Sequence, residues 1–164
     1  MTLAELNAMD QASFVEALGW IFEESPWVAE RVFDARPFTS VDALHAAMVE
    51  QVERAAFAER LALLKAHPDL GARARLSQAS TTEQAGAGLD SLTPAEFEQL
   101  HRWNAAYRGR FGFPFLLAVK GSTKHDILRA LQARMEATPE DEYREALRQV
   151  YRIARFRLED LSRA

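Results

Sequence analysis

The sequence predicts an all-α fold. Capped helix starts recur along the chain, apolar residues between them recur at helical spacing, and only one stretch, residues 110–121, reads as extended. A lone strand-like stretch has no partner with which to build a sheet. We therefore expect a single domain over residues 1–164. It should be a bundle of about seven to eight helices with one irregular apolar segment near residues 110–121.

Each element has its own signal. Asp10 is placed to cap a helix carrying Phe14, Val15, Leu18, Ile21 and Phe22. Ser25 before Pro26 reads as an N-cap followed by proline at the first helical position, and Pro37 ends that helix. Ser40 opens one long pattern through Leu44, Met48 and Val52 to Leu63 and Leu64, which Pro68 terminates. A short helix capped by Asp69 fits LGARARL. Ser80 and Glu83 have capping-box spacing, and Thr93 with Glu96 repeats it before a helix to about Arg110. Thr123 or Ser122 opens KHDILRALQARM, and Thr138-Pro139 opens the last helix, which runs towards Leu161. Between helices, AGAGLDS is a glycine-containing loop. RFGFPFLLAVKG is too short after its proline for a core helix, so it reads as a buried segment with free backbone donors and acceptors.

Composition removes several function classes. With 48 % hydrophobic and 27 % charged residues the chain can build a core, so disorder is excluded. A net charge of −4 does not attract polyphosphate, so no nucleic-acid partner is expected. No run of 18 apolar residues exists to span a membrane. MTLAELNAMDQ lacks the basic start of a secretory signal, and a cytoplasmic setting is expected. Without cysteine there is no disulfide, thiolate nucleophile or cysteine-held metal. His45, His67, His101 and His125 do not pair at helical ligand spacing, so we expect no metal. Neither a glycine-rich phosphate cradle nor G-x-S-x-G is present.

Three places put polarity where a core would not want it. In the last helix Arg157 falls inside the stripe Tyr143, Leu147, Val150, Ala154, Leu158, Leu161. It must meet an internal acid, reach solvent, or face an anionic ligand. Arg144, Arg148, Arg152 and Arg155 lie on the other side, diluted by Glu142, Glu145 and Glu159, as a solvated face would be. His67 stands between a helix and Pro68, where the helix dipole favours imidazolium; it suits either a helix cap or a general acid. In residues 80–84, STTEQ, capping accounts for Ser80 and Glu83, whereas Gln84 and the extra hydroxyls are left over for a ligand.

Taken in order, FEESPWVAE, RPF, AHPDLG, SxxEQ, AGLD, the N-x-x-Y-x-x-[KR]-FGFPF block and RIARFRLEDL resemble the 2-oxo-4-hydroxy-4-carboxy-5-ureidoimidazoline (OHCU) decarboxylases over nearly the whole chain. The resemblance implies an all-helical, usually dimeric, cofactor-free enzyme of urate breakdown that turns OHCU into (S)-allantoin. It implies catalytic roles for His67, Glu83 and Arg157, and substrate binding by Pro68, Ser80 and Gln84. It also implies that main-chain groups of Phe115, Leu116, Leu117, Ala118 and Val119 bind the substrate. Glu24 departs from the histidine often found there. Two other readings of the residues remain: another cofactor-free lyase or hydrolase on a small ureido or imidazole compound, and a non-enzymatic helical interaction module.

Overall fold

The computed structural model describes residues 1–71 and 78–163. Among these residues the protein forms nine α-helices, one 3-10 turn and no strand, as an all-α fold requires. The chain divides into two compact units, Met1–Ala66 with Val150–Ala164, and His67–Gln149.

The first unit opens on a helix beyond those expected. In α1 (Leu3–Ala8) Thr2 and Glu5 bond each other's backbone amides at 3.1 and 3.0 Å, a complete capping box. Asp10 caps α2 (Gln11–Leu18) through the Ser13 amide at 2.8 Å. This helix stops at Leu18, so Ile21 and Phe22 are buried from the turns that follow it. α3 (Trp27–Val32) is not capped by the Ser25 hydroxyl, contrary to expectation: Ser25 Oγ donates to the Glu23 carbonyl at 2.8 Å. The 3-10 turn Phe33–Ala35 ends at Arg36, whose bond to Pro37 is cis. Arg36 donates to the carbonyls of Phe33, Asn7 and Met9, while Asn7 exchanges two hydrogen bonds with the Phe38 backbone. The RPF motif is thus a tie that holds this region of the first unit together.

Ser40 caps α4 (Val41–Arg54) at 3.0 Å, but the single long helix expected from there to Leu64 is two. The backbone opens at Ala55 with ψ 157°, and α5 (Phe57–Ala66) starts afresh, with Glu59 accepting from the Ala56 amide at 3.2 Å. Neither Gly nor Pro marks that break. Together with α1 it raises the count above the seven or eight helices expected.

The second unit holds α6 (Gln78–Gly86), α7 (Pro94–Phe111), α8 (Lys124–Arg134) and the first part of α9 (Pro139–Arg163); the rest of α9 belongs to the first unit. Thr93 and Thr123 head capping boxes with Glu96 and Asp126, so Thr123 rather than Ser122 starts α8. Thr138 Oγ1 accepts from the Asp141 amide at 3.2 Å to begin α9. Ser80 is not a cap: helix already runs through Gln78, so Ser80 lies inside α6 and needs another partner for its hydroxyl. The short helix expected over LGARARL falls mainly on residues 72–77, outside the described residues.

Candidate active site

His67 is the first residue past α5, held out of the helix by Pro68, and it is buried at 5 % exposure. The stretch it opens, residues 67–71, is gripped at its last three residues. Asp69 pairs with Arg108 at 2.7 Å, Asn104 Nδ2 donates to the Leu70 carbonyl at 2.9 Å, and the Gly71 amide donates to Gln84 Oε1 at 2.8 Å. Gly71 adopts φ +72°, and a Cβ there would stand 2.5 Å from Leu100 Cδ2, so the turn closes only on glycine.

Ser80, Glu83 and Gln84 lie at i, i+3 and i+4 on one face of α6. Ser80 and Gln84 are buried and Glu83 half-buried, whereas Thr81 and Thr82 are exposed, Thr82 bonding back to the Gln78 carbonyl at 3.0 Å. Of the three consecutive hydroxyls only the first points inward. Because a backbone N–H only donates, the Gly71 bond fixes the Gln84 amide with its oxygen turned to Gly71 and its NH2 left as a donor.

The irregular segment follows α7. Gly112 at φ +82° ends that helix, its amide bonding Arg108 O at 2.8 Å. Phe113, Phe115, Leu116, Ala118 and Val119 are then buried and Leu117 half-buried. Tyr107 lies among Phe111, Phe113 and Phe115, its ring centroid 4.6, 6.0 and 5.4 Å from theirs. Its hydroxyl donates to Glu142, a carboxylate only 1 % exposed that also pairs with Arg134. Burial, then the bond to Glu142 and that residue's charge, raise the Tyr107 hydroxyl pKa well above its ordinary range. Arg134 continues to the Leu116 carbonyl, and the Ala118 amide donates to Gln149 Oε1 at 3.0 Å. The backbone expected to be free is therefore partly engaged by the protein's own side chains.

Arg157 belongs to the first unit. It is 3 % exposed, pairs with Glu23 at 2.8 Å and donates to the carbonyls of Trp20 and Ile21 at 3.1 and 3.3 Å. An internal ion pair was one of its expected fates, and that is what the fold builds. Glu24 sits beside it at φ +45°, a left-handed conformation uncommon for a residue with a Cβ, in the turn that carries Glu23 inward. Arg144, Arg148 and Arg152 are exposed, and Arg155 pairs with Asp42 and Glu159, as the solvated side required; Glu142, expected on that side, is instead buried against Tyr107 and Arg134.

Glu23, Asn104, Tyr107, Arg134 and Gln149 were not singled out as site residues from the sequence. Their signal was weak: each is one polar residue whose partner lies far along the chain. Within the second unit the fold joins two motifs, AHPDLG and SxxEQ, through Gly71 and Gln84. A sequence model of OHCU decarboxylase matches residues 7–159.

The chain belongs to the OHCU decarboxylase family.

Among its relatives, the 2-oxo-4-hydroxy-4-carboxy-5-ureidoimidazoline decarboxylase of Haloferax volcanii is 48 % identical over 96 % of this chain and 94 % of its own. The family member of that name from Mus musculus is 36 % identical over 98 % of this chain and 93 % of its own. The chain also matches 32 % of the length of the uric acid degradation bifunctional protein PucL of Bacillus subtilis, at 48 % identity over 98 % of this chain. The crystal structure of (S)-allantoin synthase superposes with a TM-score of 0.81 at 37 % identity, over 98 % of this chain and 54 % of that one.

Proposed function

We propose that this chain, as one domain over residues 1–164, decarboxylates OHCU to (S)-allantoin in urate degradation without a cofactor. The supporting observation is the Gly71–Gln84 bond of 2.8 Å. It ties the stretch carrying buried His67 to the helix face carrying Ser80, Glu83 and Gln84. Relatives named for this reaction support the same reading.

The substrate carries its own electron sink. Its carboxylate sits on a ring carbon next to a C=N unit. When the C–CO2 bond breaks, the electron pair runs into that unit and the nitrogen takes a proton. The enol that remains collapses to the carbonyl as the ureido-bearing carbon is protonated from one face. In this proposal His67 is the acid and base for these proton transfers, and Glu83 orients it and holds its proton state. Gln84 offers its NH2 to a ligand carbonyl, with Ser80 and Pro68 beside it. Main-chain groups of residues 115–119 read the ring edge. Arg157, always charged as a guanidinium and held in place by Glu23, is proposed as a donor to a substrate oxygen.

The resemblance also carries a homodimer into the proposal, and the cytoplasmic setting expected from the sequence is part of it. No helix among the described residues is long and apolar enough to cross a membrane. Light scattering tests the dimer, with a mass near twice 18.5 kDa expected. For the reaction, OHCU made in situ from urate should release one CO2 per molecule faster with the protein than by spontaneous decay. Release at the spontaneous rate would reject the reading in favour of another small ureido or imidazole substrate.

A further inference from the structure

Two side chains grip the irregular segment on either side of Leu117. Arg134 donates to the Leu116 carbonyl while its guanidinium lies 4.6 Å over the Phe115 ring. Gln149 Oε1 accepts from the Ala118 amide at 3.0 Å. Arg134 is itself held by Glu142 at 2.7 Å, and Gln149 donates to Glu145 Oε2 at 3.0 Å. Glu142 and Gln149 stand seven residues apart, two turns along the buried face of α9. Both grips therefore rest on one face of one helix.

Peptide geometry then dictates what Leu117 can do. The Arg36–Pro37 bond is the cis peptide among the described residues, so the planes on both sides of Leu117 are trans. In a trans plane the C=O and the N–H point opposite ways. With the Leu116 carbonyl turned to Arg134, the Leu117 N–H points away from it. With the Ala118 amide turned to Gln149, the Leu117 C=O points away from that. Among the described residues neither Leu117 group meets a hydrogen-bond partner, and Leu117 is half-buried where Leu116 and Ala118 are buried.

We propose that Gln149 and Arg134 are positioning residues that aim the Leu117 N–H and C=O together at the –NH–CO– edge of a ureide. This rests on the functional reading above and narrows it to one residue of the segment. A paired donor and acceptor suits cyclic and open ureides, which present both functions side by side, and does not suit a carboxylate, which only accepts.

The test uses Gln149→Met, which removes the acceptor for Ala118, and Gln149→Glu, which keeps it while losing the bond to Glu145. In Gln149→Met the KM for OHCU should rise about tenfold with kcat within about threefold, the loss of one well-placed hydrogen bond. Gln149→Glu should keep KM within about twofold of the parent. A purely structural role would lower kcat with the active fraction and leave KM unchanged, which would overturn the proposal. Independently of turnover, (S)-allantoin titrated into the 15N-labelled parent protein should shift the Leu117 amide proton downfield; an unmoved Leu117 amide would overturn it. If the parent fails to turn over OHCU, the functional reading falls alone, and the Leu117 titration still decides this inference.

Discussion

In the proposed reaction single residues carry both the chemistry and the constraint that holds it. His67 could be singled out because the proline after it forces it out of the helix, where a histidine serves either as a helix cap or as a general acid. Replacing it with asparagine keeps a similar size and removes the acid–base function. His67→Asn should lower turnover about 100-fold or more, with Tm changed by no more than a few degrees, measured by OHCU consumption and thermal unfolding. Gly71 makes the opposite kind of claim. At φ +72°, with Leu100 Cδ2 2.5 Å from any Cβ, Gly71→Ala should destabilise the protein by more than about 1 kcal/mol in urea unfolding. It should also raise KM, because the bond to Gln84 is made by its amide. Glu23 shows where sequence reading stops at this scale. Arg157 announced itself by standing in an apolar stripe, but its partner sits 134 residues away, and no local pattern links the two.

Helix starts were the most legible elements. Asp10, Ser40, Thr93, Thr123 and Thr138 all bond the amide three residues on, because a side-chain oxygen at that spacing satisfies an otherwise orphaned donor. Ser80 had the same spacing to Glu83, yet the helix runs past it: capping pattern alone does not tell a first turn from a second. The break between α4 and α5 was illegible because Ala55 and Ala56 favour helix and only the Glu59 side chain marks the new start. One capping residue also makes the stability depend on pH. Lys124 donates to Glu96 at 2.7 Å, and with the Thr93 amide it holds that carboxyl at about 2, from an ordinary 4.5. Between these values the unfolded chain binds the proton and the folded one does not. The contribution is therefore present above about 4.5 and is lost as pH falls towards 2. Glu96→Gln should lose less of its urea midpoint than the parent between pH 5 and pH 3. Equal losses would mean that the pair contributes nothing.

At the scale of the whole molecule, fold class followed from helix periodicity and from the absence of a second strand-like segment. The irregular segment shows why the site was only half legible. Its burial could be read from RFGFPFLLAV, but which of its backbone groups remain for a ligand depends on Arg134 and Gln149, contributed by other helices. In the proposed reaction this scaffold removes CO2 and then delivers a proton to one face of a flat intermediate. Circular dichroism of the product stream from urate, urate oxidase and hydroxyisourate hydrolase, run with and without this protein, tests it most directly. The expected result is rapid growth of a persistent (S)-allantoin signal that appears only when the protein is present. Slow formation of optically inactive allantoin at the same rate in both samples would contradict it.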